Sequence, residues 1–255
     1  MAAQNAEGVI LRKYLLRETS YILVVFTKEF GKIKGVMKGV RNPYPQFAGN
    51  FEIFTRCRLH FYKKKKSGLD LITQCEAVDF FLPVRKDIEK LTYAGYFIEL
   101  VDIATNDHDP AEELFSLLVD SLTMLGTESS AKRVSRIFEL KFLEKLGLAP
   151  RLDACAGCGA PTGKEIFFSV KDGGVMCPKC AGSNMTGRRI SPGTVNFMRM
   201  IQKSDLAMTS RIKVSREVGR ETEDVLRMFL DYQIGRPLKS LKFLEQIEKT
   251  GVIGR

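Results

Sequence analysis

Four cysteines in two close pairs constrain this chain more than any other feature. They read Cys155-Ala-Gly-Cys158, then 18 residues, then Cys177-Pro-Lys-Cys180. A Cys-x-x-Cys turn aims two sulfurs at one point. Two such turns supply the four tetrahedral donors that zinc takes, with Zn–S of about 2.3 Å. Gly157 and Gly159 free the first turn, and Pro178 stiffens the second. Between them, Glu-Ile-Phe-Phe-Ser-Val at 165–170 reads as a strand and Lys-Asp-Gly-Gly at 171–174 as a hairpin turn. Turn, hairpin, turn is the layout of a zinc ribbon. The expected cofactor is one structural Zn²⁺ on Cys155, Cys158, Cys177 and Cys180. A redox Cys-x-x-Cys would need a βαβ context that neither pair has. A catalytic zinc usually keeps an open position and often uses His. The chain's two histidines, His60 and His108, lie far from the cluster in sequence.

Charge is the second constraint. The net charge of +10 is unevenly spread over 255 residues. Residues 1–80 carry 14 Lys/Arg against 7 Asp/Glu, residues 81–150 carry 8 against 12, and residues 151–255 carry 18 against 11. Four thiolates and one Zn²⁺ sum to −2, so the metallated chain stays strongly basic. Basic segments favour a polyanionic partner through Coulomb attraction and counterion release. No apolar run approaches the roughly 20 residues of a membrane span. The first seven residues lack the basic start and apolar centre of a signal peptide. The expected location is cytoplasmic, with nucleoid association and no membrane contact.

Residues 8–80 alternate with the period of two that marks half-buried strands. Strands are expected at 8–16, 21–27, 32–38, 51–62 and 69–78. Phe51, Ile53, Thr55, Cys57, Leu59 and Phe61 would share the apolar face of the fourth, which makes Cys57 a small core residue. Cys75 reads the same way. The strand at 21–27 is apolar on both faces and should be central. Five strands with no long helix between them suggest a small closed barrel, and the OB-fold is such a barrel. Basic residues sit where that fold binds oligonucleotides. Lys32, Lys34 and Lys38 fall on one face of strand 3, and Lys63, Lys64, Lys65 and Lys66 fill the loop between strands 4 and 5. Arg12, Lys13, Arg17 and Arg41 add to them, and Tyr44 and Phe47 are candidates for base stacking beside Arg41.

The rest reads as helical: 84–106, 111–125, 129–147, 192–202, 217–234 and 239–248. Val134, Ile137, Phe138, Leu140 and Phe142 form a core stripe. The expected organisation is a barrel at 1–80, a helical domain at 81–150, a four-cysteine zinc ribbon at 151–187 and a second helical part at 188–255. The chain has no phosphate loop, no dinucleotide fingerprint and no nucleophile elbow. Asp107 and Asp109 flank a helix break, where Asp commonly serves turns and caps. No catalytic residues are expected, and the protein is read as a non-enzyme. An RNA-binding barrel-and-ribbon protein and a metal-dependent nuclease are the alternatives.

Several short patches recur in a telling order. They are Gly8-Val-Ile-Leu-Arg-Lys-Tyr14, Phe26-Thr-Lys-Glu-Phe-Gly-Lys32, Lys38-Gly-Val-Arg41 and Phe47-Ala-Gly49. Then come Tyr93–Glu99, the four cysteines, and Tyr232-Gln-Ile-Gly-Arg-Pro-Leu-Lys-Ser-Leu-Lys-Phe-Leu244. Over nearly its whole length the chain resembles the RecO family of bacterial recombination mediators. Where the family often has acidic and basic residues after the equivalent of Tyr14, this chain has Leu15-Leu16. The resemblance implies a multi-domain α+β fold: an N-terminal five-stranded OB-fold barrel, then an α-helical domain with an inserted four-cysteine zinc ribbon. It also implies binding to ssDNA and dsDNA, annealing of complementary strands, and action with RecR to load RecA. Docking of the acidic C-terminal tail of single-stranded-DNA-binding protein is implied too. Arg133 or Arg136, beside an apolar groove of the helical domain, is the expected tail contact. Lys164, Lys171 and Lys179 of the ribbon are a secondary candidate DNA surface.

Overall fold

The computed structural model describes residues 3–40, 51–64, 68–184, 187–209 and 212–250. Five strands open the chain: β1 (Ala3–Leu16), β2 (Ser20–Thr27), β3 (Gly31–Met37), β4 (Arg56–Tyr62) and β5 (Asp70–Asp79). They close a barrel in the order β1-β2-β3-β5-β4, with β4 returning to β1. This Greek-key order, with β3 and β5 parallel and the other pairs antiparallel, is the OB-fold. Closure depends on the length of β1. Its first half pairs with β4 and its second half with β2, and a bulge between Ile10 and Arg12 bends it from one to the other. The interior is filled by Ile10, Leu23, Val25, Ile33, Leu59, Phe61 and Ile72, with Cys57 and Cys75 among them. A hydrogen bond with Cys75, together with burial, pushes the Cys57 thiol well up, so it behaves as the inert core residue its position suggests.

The fourth strand is shorter than its pattern predicts. Residues 51–55 turn instead of extending, with Phe54 at φ 53°. The bulge of β1 causes this. Phe54 donates its N–H to Ile10 O and Ile10 donates to Thr55 O, so the segment folds into the gap the bulge opens. Arg85 fixes it from the other side, donating to Ile53 O and Thr55 Oγ1 with its guanidinium over the Phe54 ring. Ile53 is left exposed, not on the core face.

A short helix α1 (Leu82–Arg85) leads into α2 (Ile88–Ala104) and α3 (Glu112–Thr127). Asp87 caps α2 by accepting from Glu89 N and Lys90 N. Tyr93, Tyr96, Phe97, Leu100 and Val101 are buried along α2. Phe115 of α3 meets Phe26 of β2 at 6.0 Å between ring centroids, which explains why β2 is apolar on both faces. One compact unit comprises residues 1–129 together with 238–255. Its last helix, α9 (Lys239–Thr250), returns to α2, where Glu99 accepts from Lys239 N and from Ser240 N and Oγ. That carboxylate serves the first turn of α9 as an N-cap supplied from a distant helix.

The second unit is residues 130–237. It packs α4 (Ala131–Lys145), α6 (Pro192–Lys203) and α8 (Arg216–Ile234) around Phe138, Phe142, Val195, Met198, Ile201, Leu226 and Leu230. Ser191 caps α6 by accepting from Thr194 N, with Pro192 at its first position. Between α4 and α6 lies a small sheet of β6 (Ile166–Ser169), β7 (Gly174–Met176) and β8 (Arg188–Ile190), in the order β7-β6-β8, with helix α5 (Pro178–Asn184) before β8. One helical turn, α7 (Leu206–Thr209), precedes α8. Phe168 of β6 meets Phe229 of α8 edge-on at 5.6 Å, anchoring this sheet to the helices. Among the described residues no helix is long and apolar enough to cross a membrane.

In the first unit, barrel and helices are joined by one buried charge. Lys32 Nζ donates to Asp102 O at 2.6 Å, Thr105 O at 2.8 Å and Asp102 Oδ1 at 3.1 Å. Its last turn has no basic residue of its own, so α2 receives the cation its C-terminal carbonyls favour from a strand of the barrel. Replacing Asp102 by Ala leaves the Lys32 ammonium buried without its counter-charge. Urea denaturation of that variant is expected to show a loss of about 3 kcal/mol. A change within experimental error would mean that the carbonyls alone suffice.

Candidate nucleic-acid interface and metal centre

The metal centre is built from two backbone turns. Cys155 starts the first, closed by Gly159 N donating to Cys155 O at 2.8 Å, and Cys177 precedes α5, which carries Cys180. The four sulfurs lie within 4.8 Å of one another. Cys158 Sγ and Cys177 Sγ are 3.8 Å apart. A tetrahedron with metal–sulfur bonds of about 2.3 Å has edges of about 3.8 Å, so the spacing fits one ion. The turns come close: a β-carbon on Gly157 would sit 3.3 Å from both Cβ and Sγ of Cys180. Burial tends to raise the Cys155 thiol, but hydrogen bonds from the backbone N–H groups of Cys177, Cys158 and Gly157 outweigh it and bring its pKa to about 6. Hydrogen bonding with Cys158, Cys177 and Cys155 pushes Cys180 up to about 12. One thiolate is thus prepared by backbone donors. Ionising all four calls for a cation at their centre, because four adjacent negative charges repel. The four residues can hold one metal ion. They leave no protein position open, which suits a structural site.

The candidate basic surface lies on the barrel. Lys34, Lys38, Arg17, Lys63 and Lys64 are exposed. Arg12 is half exposed, ion-paired with Asp102 and donating to Tyr14 Oη at 3.2 Å. The hydrogen bond to Tyr14 is the main cause raising its pKa, with burial opposing and Asp102 adding. Lys13 pairs with Glu52 at 2.7 Å, and Lys34 with Asp107 at 2.8 Å. Arg41, Lys65 and Lys66, and the aromatic candidates Tyr44 and Phe47, lie outside the described residues.

Two basic candidates are placed differently from their sequence reading. Lys32 shares a strand face with Lys34, as alternation predicts, but α2 covers that end of the face and the side chain is buried among the acceptors described above. It is structural, and no nucleic-acid strand can reach it. Arg136 is also buried, with Glu139 at 3.3 Å and Glu223 at 3.5 Å from its guanidinium, so it is not presented to an acidic tail. Arg133 is half-buried on the same helix. The ribbon's Lys164, Lys171 and Lys179 are exposed.

Alternation does not disclose Asp102 and Asp107 as partners for barrel cations. Asp107 belongs to the connector between α2 and α3, which runs beside β3. It forms a bridge with Lys32, and His108 N donates to Lys32 O at 2.9 Å. A β-carbon on Gly31 (φ 65°) would lie 2.1 Å from Asp109 O, so glycine is required where this connector passes.

An OB barrel with exposed cations, followed by helices that carry a four-cysteine cluster, defines a class of modular α+β proteins with a site for one metal ion. The model of the family described as recombination protein O, N-terminal, matches residues 1–81, and that of its C-terminal part matches residues 85–242. Curated relatives called DNA repair protein RecO cover almost the whole chain. That of Pelotomaculum thermopropionicum is 32% identical over 246 residues, 96% of this chain and 95% of its own. That of Anaeromyxobacter dehalogenans strain 2CP-C is 34% identical over 243 residues, 94% and 95% respectively. That of Shouchella clausii is 32% identical over 248 residues, 97% and 96%. The chain belongs to the RecO family.

Cys158→Ser removes one donor and leaves a hydroxyl that binds soft metals poorly. Elemental analysis of the folded, reduced protein is expected to give about one metal ion per chain, and well below one for this variant. Equal metal content in both would exclude the tetrathiolate site.

Proposed function

We propose that the protein is a DNA repair and homologous recombination mediator of the cytoplasm and nucleoid. In this reading it binds ssDNA and dsDNA and anneals complementary strands. With RecR, it helps load RecA onto ssDNA coated by single-stranded-DNA-binding protein, whose acidic C-terminal tail docks on the helical part near Arg133. Family membership, with relatives named for DNA repair, supports the pathway. The observation that carries the binding is the set of exposed cations on β3, the β1–β2 hairpin and the β4–β5 loop: Lys34, Lys38, Arg17, Lys63 and Lys64, with Arg12 and Lys13 beside them. Arg41, Lys65 and Lys66 belong to the same proposed set by sequence. Annealing asks for no bond chemistry. A basic surface that neutralises two strands at once lowers their mutual repulsion, so the protein acts here without catalysis.

The metal is proposed to be Zn²⁺, because four thiolates in tetrahedral spacing suit it. Its part is structural. It ties the two turns and the small sheet together.

The test is annealing of complementary strands precoated with single-stranded-DNA-binding protein, with binding measured in parallel over a range of salt. Lys34→Glu with Lys38→Glu is expected to weaken ssDNA binding. It should also flatten the slope of log K against log salt by about 1.4, the share of two phosphate contacts. Unchanged affinity and slope in the folded variant would remove this face from the interface. Preference for RNA of matched length would favour the RNA-binding alternative, and cleavage of DNA with Mg²⁺ the nuclease.

A further inference from the structure

The outer face of the barrel carries an apolar row that its core does not need. Tyr14 of β1 stands opposite Ile22 of β2, Ile22 opposite Val36 of β3, Val36 opposite Leu71 of β5, and Leu71 opposite Tyr62 of β4. All five lie on the face away from Leu23, Val25, Ile33, Phe61 and Ile72, which fill the interior. Helices α2 and α3 cover one end of this face, where Val24 and Phe26 are 3% and 0% exposed. The row lies at the other end. There Ile22, Val36, Leu71 and Tyr62 are half-buried and Tyr14 is 46% exposed.

The neighbouring row is cationic at both ends. Arg12 stands opposite Val24, and Val24 opposite Lys34. Two residues along a strand span about 6.6 Å, so a guanidinium and an ammonium run parallel to the apolar row at that spacing. Lys38 follows two residues beyond Val36, on the row's other flank. Arg12 also donates to Tyr14 Oη at 3.2 Å while paired to Asp102. The aromatic ring is therefore held at its hydroxyl edge, with nearly half of the residue exposed.

We propose that this row is a stacking track for the unpaired bases of a single strand, with Tyr14 as its principal platform. The proposal rests on the nucleic-acid reading given above and sharpens it. Stacking needs an exposed aromatic ring with cations beside it. Tyr14 supplies the ring, and Lys38 is exposed. Arg12 and Lys34, each about half exposed beside one carboxylate, Asp102 and Asp107 respectively, can turn to phosphates. A duplex keeps its base faces inside its own stack and meets only the cations. The track thus gives the barrel a reason to distinguish one strand from two.

The chain contains no tryptophan, so Tyr14→Trp introduces a single fluorophore into the row. Titration with oligo(dT) is expected to quench its emission saturably, whereas a duplex of the same length bound at the same salt leaves it nearly unchanged. In anisotropy measurements Tyr14→Ala should weaken oligo(dT) binding on the order of 10-fold, with the salt slope and duplex affinity retained, and Tyr14→Phe should bind as wild type. Circular dichroism confirms that each variant is folded. The stacking proposal falls if oligo(dT) binds without quenching, if Tyr14→Ala weakens single strands and duplex alike, or if polyglutamate of equal charge quenches as well. In each of those cases wild-type binding still stands. A wild-type protein that binds neither single strand nor duplex would instead overturn the nucleic-acid reading itself.

Discussion

The first unit depends on an ammonium group buried where a helix ends. Lys32 could not be buried without acceptors, since desolvating an unpaired charge costs several kcal/mol. The C-terminus of α2 supplies them: two backbone carbonyls and the Asp102 carboxylate. The same carboxylate pairs with Arg12, so two barrel strands and one helix meet at one residue. This sets where the barrel is covered and where it is open. The end nearest Lys32 lies against the helices. The end carrying Lys38 and Tyr14 is left exposed, and Lys34 stands at the border, paired with Asp107.

The ribbon solves a different problem. Its own apolar cluster is small: Cys155, Met176 and Ala181, with Phe167 beside them. So few buried groups cannot offset the entropy of ordering three short strands and two turns. The four clustered thiols can supply the missing cross-links by holding one metal ion, and the Phe168–Phe229 contact ties the sheet to α8. The cysteine cluster and the helices thus hold this sheet from two sides.

What the sequence discloses follows the range of the interactions involved. The cysteine spacing is legible because each turn is local. The strands are legible because alternation is local too, and the double-sided apolar pattern of β2 matches a strand buried on both faces. Lys32 is not, since Asp102 and Thr105 lie 70 and 73 residues away and alternation cannot say which end of a face is covered. Arg136 escapes for the same reason, as Glu223 reaches it from another helix. Ile53 leaves the expected core face because a bulge in β1 captures its neighbours, and nothing in residues 51–55 announces that bulge. Strand β8 and helix α5 are too short to carry a period.

The connector at 105–109 has one more consequence. Strand β5 reaches β3 only at Gly35–Met37, so the earlier part of β3 is paired with β2 on one side and has no barrel neighbour on the other. Asp107 and His108 take that place. An uncovered edge of this kind is a template for pairing with another chain. A fragment ending at residue 81 would keep all five strands, yet it would expose this edge and strip Lys32 of every acceptor. The seam between the two family regions is thus a boundary of sequence and not of folding: the barrel is finished by helices that follow it in the chain.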